Sequence, residues 1–190
     1  MQNKTFMYIL ILVVIVFLIF DLFTVFNRRP KFDITFYKTV VETDYSDTAT
    51  ITTIAGLSFK DEKSMYEYKE SYTNASSKTF LNYFEQISKE IGKTITVVSY
   101  ENSAKERAGI LEIEEVAVLK NLVDVSNNTY TLNMGNIQIN PNPNSLFIVY
   151  IPKDGILVSS NPTPTSFENN KLSWDGESLK NFPTVIYRRK

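Results

Sequence analysis

Residues 31–59, KFDITFYKTVVETDYSDTATITTIAGLSF, decide the fold. Phe32, Ile34 and Phe36 alternate with Asp33, Thr35 and Tyr37, the period of two that marks a strand buried on one face. The alternation resumes over residues 48–59, where Ala49, Ile51, Ala55, Leu57 and Phe59 share a face. Between the runs, Asp44, Ser46 and Asp47 supply turn chemistry, so the stretch predicts an antiparallel hairpin that opens a sheet.

Beyond Phe59 the period changes. Ser64 and Glu67 have the spacing of a capping box, in which a hydroxyl and a carboxylate satisfy the free amides of a helix start. Met65, Tyr72, Phe80, Phe84, Ile87 and Ile91 continue at helical spacing, and Gly92 stands where a helix ends on a left-handed residue. The stretch Asn74-Ala-Ser-Ser77, with three weak helix formers among its four residues, can divide the block in two. Strand signals return over residues 94–101 and 110–119, with the polar residues 102–107 read as their connection. Asn127-Asn128 marks a turn before a strand at 129–134, and the Asn/Pro run at 140–144 is a break. A strand at 146–151 turns at Pro152 and Gly155 into one at 156–159, and short strands follow at 171–174 and 184–188. The predicted class is α+β: a mostly antiparallel sheet with one long helical block packed on it.

Working back from Lys31, residues 6–26 read FMYILILVVIVFLIFDLFTVF with one charge, Asp21. As a helix these residues span about 31 Å, close to a bilayer's hydrocarbon thickness. The following residues DLFTVFNRRP offer no small-residue cleavage site, so the run predicts an uncleaved single-pass anchor over residues 1–30. Asp21 falls near the helix end, where it reaches the interface. Positive charge flanks both ends of the run, as Lys4 on one side and Arg28, Arg29 and Lys31 on the other. The short N-terminal tail favours a signal anchor that leaves residues 31–190 outside the cytoplasm, on a cell membrane.

The 190 residues include no Cys and no His. That excludes disulfides, thiolate chemistry, histidine metal sites and every His-based catalytic triad. The 13 Phe and 11 Tyr supply packing material without disulfides. Residues 31–190 carry 17 basic against 20 acidic side chains, net −3, which does not point to nucleic acid. Glu112 and Glu114 lie on one strand face, opposite Leu111 and Ile113, and with Glu115 form the densest acidic cluster, read as a solvated face. Asp44, Ser46 and Asp47 lack the glycine and closing glutamate of a calcium loop. No phosphate-binding glycine loop and no nucleophile elbow occurs, and neither a catalytic residue nor a cofactor is predicted.

The most distinctive stretch runs IPKDGILVSSNPTPT over residues 151–165, then NNKLSWDG over 169–176. This pattern resembles the closing part of poorly characterised prokaryotic envelope domains, and the ectodomain of LppM-like mycobacterial lipoproteins implicated in lipid binding. The layout as a whole is similar to uncharacterised single-anchor proteins of thermophilic bacteria. Unlike the lipoproteins, this chain has no cysteine to carry a lipid.

Three functions are consistent with these features. The first is a non-enzymatic, membrane-anchored envelope domain that binds a protein or lipid partner at the membrane surface. The second is a lipid carrier or sensor, with an apolar pocket between helix and sheet lined by Tyr68, Tyr72, Phe80, Phe84 and Trp174. The third is an envelope-assembly bridge, against which the long helical block counts. If the last strand pairs beside the first, Arg188, Arg189 and Lys190 join Arg28, Arg29 and Lys31 in one basic face toward the lipid headgroups.

Overall fold

The computed structural model describes residues 32–74, 77–135 and 143–190. The predicted anchor, with Arg28, Arg29 and Lys31, lies outside the described residues. Among the described residues, no helix is long and apolar enough to cross a membrane.

The predicted hairpin is formed by β1 (Phe32–Thr43) and β2 (Thr48–Phe59). The alternation in β1 holds only as far as Ile34, because the register slips between Ile34 and Phe36. A bulge adds one residue to one strand and reverses which side chains face inward beyond it. Tyr37, Thr39 and Val41 therefore join Ile34 on the inner side, where strict alternation had put Tyr37 with Asp33.

The helical block is two helices, α1 (Glu62–Thr73) and α2 (Ser77–Ile91), divided at Asn74 as its weak formers allow. The cap is displaced from its expected place. Asp61, in extended conformation, accepts from the backbone amide of Ser64 at 2.8 Å, so Ser64 sits one turn inside the helix. Asp61 Oδ2 also accepts from Ser64 Oγ at 2.9 Å, which leaves the serine hydroxyl engaged and no longer a cap. Gly92 has φ +66°, and Lys93 N donates to Ser88 O at 3.1 Å, closing α2 as predicted.

Residues 102–107 are not a connection. Strand β3 (Thr96–Arg107) runs through them and pairs with β4 (Ile110–Lys120). The turn is the two residues Ala108 and Gly109, both at positive φ, as the tight hairpin twist requires. Being at the sheet edge, β3 tolerates polar side chains on both faces.

The remaining strands are β5 (Val123–Ser126), β6 (Thr129–Leu132), β7 (Ser145–Tyr150), β8 (Gly155–Asn161), β9 (Ser166–Glu168), β10 (Lys171–Asp175) and β11 (Thr184–Arg189). They do not build one sheet. A seven-stranded sheet has the order β3-β4-β2-β1-β7-β10-β9, and a four-stranded sheet the order β5-β6-β11-β8. Among the described pairings all are antiparallel except β1 with β7. The turn after Pro152 was expected to fold residues 156–159 back on 146–151. Instead it carries the chain from one sheet to the other, and β8 pairs with β11.

Both layers that cover the large sheet lie on one face. There, two apolar clusters form. One joins Val41, Ile51, Leu119, Val149 and Trp174 of the large sheet to Leu132, Val185 and Tyr187 of the small sheet and to Phe84 and Ile87 of α2. The other joins Phe32, Leu57, Leu111 and Ile113 to Met65, Tyr68 and Tyr72 of α1.

Candidate functional site

A polar row separates the two clusters. On β2 the inner residues run Ala49, Ile51, Thr53, Ala55, Leu57, and on β4 they run Leu119, Ala117, Glu115, Ile113, Leu111. Thr53 pairs directly with Glu115 on one side and with Thr39 of β1 on the other. In the register of the sheet, Thr39, Thr53 and Glu115 thus form one inward line of oxygen-bearing side chains, with apolar residues above and below. All three are buried, Glu115 to 3 % exposure.

Burying a carboxyl is costly unless it is hydrogen-bonded or neutral. Glu115 is hydrogen-bonded. Tyr72 of α1 donates to Glu115 Oε1 at 2.9 Å, and Tyr100 of β3 donates to the same atom at 3.0 Å. Burial pushes the Glu115 carboxyl up to about 7, against the smaller pull of the two phenol donors. Burial likewise drives the phenols of Tyr72, Tyr68 and Tyr100 above their ordinary range, with Glu115 adding to the rise. The Tyr37 phenol is pushed up to about 12, chiefly by burial. Among the described residues, Glu115 Oε2 and Thr53 Oγ1 have no hydrogen-bond partner. Tyr37 approaches Thr39 and Thr53, but Thr53 Oγ1 meets no donor or acceptor at bonding geometry.

Glu115 was expected among the acids of a solvated face, and the structure buries it. Glu112 and Glu114 do take the outer face, half-buried, as alternation requires. The signal that identifies Glu115 is parity: it shares its face with Leu111, Ile113, Ala117 and Leu119, all of them core residues. A glutamate in that series is an inward acid.

The five aromatic residues expected to line one pocket are divided. Tyr68 and Tyr72 belong to the Phe32 cluster, and their rings stack with centroids 6.3 Å apart. Phe84 and Trp174 belong to the other cluster. The Trp174 ring meets Phe147 edge-on at 6.1 Å, and its Nε1 donates to Pro162 O at 3.1 Å. The side chain of Phe80 lies outside the described residues.

The pairing that was to join the two basic clusters does not form. Strand β11 pairs with β6 and β8, in the other sheet from β1. Tyr187 Oη donates to Asp44 O at 2.6 Å, and the Arg189 guanidinium lies 4.9 Å from the Tyr45 ring centre. The exposed Arg188, Arg189 and Lys190 therefore sit by the β1–β2 turn. Phe32, to which Lys31 is bonded, starts β1 at the other end. The 12 residues of β1 put about 36 Å between those ends.

The fold and the buried row define a sheet-rich α+β domain with an acid–phenol cluster at the seam of two cores. The chain belongs to a family described as Domain of unknown function (DUF4897), which matches residues 32–188. Membership in a family without an assigned function is what the sequence led us to expect. No curated protein matches the chain. Among solved structures, the NMR structure of the folded domain of LppM from Mycobacterium tuberculosis is similar at a TM-score of 0.41 and 12% identity, over 84% of this chain and 90% of that one.

Proposed function

We propose that this chain is a non-enzymatic domain tethered to a cell membrane, outside the cytoplasm, that binds a protein or lipid partner at the membrane surface. The observation that carries the reading is the junction at Phe32. The apolar run of residues 6–26 ends six residues before the first residue of β1. At most about 20 Å of chain bridges that gap, so a tethered domain stays next to the bilayer. The strand reached by the tether is fourth of seven in its sheet, hydrogen-bonded on both sides. The test is fractionation of cells expressing the full chain. The protein is expected to stay in the membrane through alkaline carbonate washing. Protease added to intact spheroplasts is expected to digest residues 31–190. Release by carbonate, or protection until lysis, removes the reading. A hydrolase or transferase activity lost on a single Asp or Glu substitution removes the word non-enzymatic.

A lipid carrier is the second reading. The separate cluster under α1, which begins at Phe32 beside the tether, favours it. Native mass spectrometry of the detergent-extracted chain is expected to retain a bound lipid if this reading holds. Absence of any such adduct sets it aside in favour of a protein partner.

A further inference from the structure

Glu115 occupies the point where the two apolar clusters meet, and it is a buried hydrogen-bonded link between α1 and the large sheet. Its Oε1 takes the phenol of Tyr72, the inward tyrosine on the last turn of α1. Thr53 is the residue paired with Glu115 in the register of the sheet. Inward side chains on directly paired strand residues have Cβ atoms about 5 Å apart. Glu115 Oε2 and Thr53 Oγ1 are buried there and, among the described residues, unpartnered.

A proton on Glu115 removes the charge from that buried place. The neutral acid still accepts both phenols at Oε1. The ionised acid has only lone pairs on Oε2, an atom buried from the solvent. The groups that face it are Tyr72 and Tyr68 from α1, Tyr100 from β3, Tyr37 and Thr39 from β1 and Thr53 from β2. None of these is basic, so nothing in that set replaces the lost hydration of a charge. Packed beyond Ala117, α2 contributes Phe84 and Ile87, which are apolar.

We propose that Glu115 is a proton-operated latch for α1: neutral, it holds the helix on the sheet, and ionised, it releases the helix locally. The release is local because of what each neighbour is held by. Strands β1, β2 and β4 are bonded to one another along their whole lengths. By contrast, α1 is held to the sheet by the side chains of Met65, Tyr68 and Tyr72, by the buried bond from Tyr72 to Glu115 and by an exposed 3.5 Å bond from Tyr66 to Glu106 of β3. Lifting α1 gives Glu115 access to water, and the same motion uncovers Phe32, Leu57 and Leu111.

The direction of the pH effect follows from linkage. The closed form holds its proton with the carboxyl raised from 4.5 to about 7, whereas the opened form has an ordinary glutamate. The closed form thus binds the proton more tightly. Opening becomes about tenfold more favourable per pH unit between those two values and levels off above them, a total of roughly 300-fold.

Hydrogen exchange of the full chain in detergent micelles, read by mass spectrometry and corrected for intrinsic rates, tests the latch. Protection of α1 is expected to fall about tenfold per unit up to about pH 7 and then level, while β2 and β4 hold theirs. Glu115→Gln, which fixes a neutral side chain, is expected to remove the pH dependence in α1. Tyr72→Phe removes a phenol donor that favours the ionised acid, so it is expected to loosen α1 at low pH and to carry the pH-dependent loss to higher pH. The proposal is overturned if the wild-type and Glu115→Gln profiles coincide, or if α1 and the strands lose protection together. Should Glu115→Gln fail to fold, a Tyr72→Phe profile that levels at the same pH as that of the wild type, or below it, overturns it as well. So does a carbon-13 carboxyl signal of Glu115 that titrates at the ordinary glutamate value.

Discussion

Gly56 stands opposite Phe36 at the bulge of the first hairpin. A Cβ there would overlap the Phe36 ring and come within 2.6 Å of Thr35 Oγ1. Strands β1 and β2 cannot part to make room, because each is bonded on both sides. We expect Gly56→Ala to lower unfolding stability by about 1–3 kcal/mol, seen as an earlier urea midpoint at unchanged slope. At the same scale, Glu115 contributes a pH dependence to global stability. Its folded value is raised from 4.5 to about 7, so the folded state binds the proton more tightly than the unfolded chain. Stability is then fullest below the lower value, declines as pH rises to the upper one and is flat beyond, by up to about 3 kcal/mol. Urea midpoints of Glu115→Gln should lack that decline, so the variant gains on the wild type from pH 5 to about pH 7. Parity makes Glu115 legible as inward in the sequence. Its two phenol partners are not legible, because Tyr72 and Tyr100 lie 43 and 15 residues from it along the chain.

At the scale of elements, the start of α1 depends on Asp61, which satisfies the Ser64 amide. Asp61→Ala should cost about 1 kcal/mol, and exchange of the first-turn amides should report it before the rest of the helix does. At the far end of α2, Gly92 adopts φ +66° with open space around its Cα. Gly92→Ala therefore meets no clash and suffers only the left-handed conformation, about 1 kcal/mol, measurable as a small loss of thermal midpoint. Both helix limits were written in local chemistry. The cap was misplaced by one turn because Asp61 and Ser64 are each good caps, and only the direction in which the chain leaves β2 selects between them. The extension of β3 through residues 102–107 was hidden for a related reason. An edge strand has one neighbour, and its polar residues carry no inward pattern to read.

Across the whole molecule, β1, β2 and β4 run through both apolar clusters, and the small sheet and both helices lie over one face of the sheet they form. Loss of either cluster removes inner packing from the same three strands. Equilibrium unfolding of residues 32–190 within the full chain is expected to be one transition, with tyrosine and Trp174 fluorescence coinciding with far-ultraviolet dichroism. Separated midpoints would mean that the clusters melt independently. Periods of two and 3.6, a glycine after a helix and the absence of His and Cys were enough to determine an α+β domain, most of its elements and the chemistry it lacks. Those signals act over a few residues, and the sequence carries them complete. The partition into two sheets, the parallel β1–β7 pair, the separation of Tyr72 from Trp174 and the removal of the C-terminal charges from the start of β1 were decided by the tertiary structure alone. Strand partners are chosen by which apolar faces can be buried together, and side-chain alternation is the same whichever partner a strand takes.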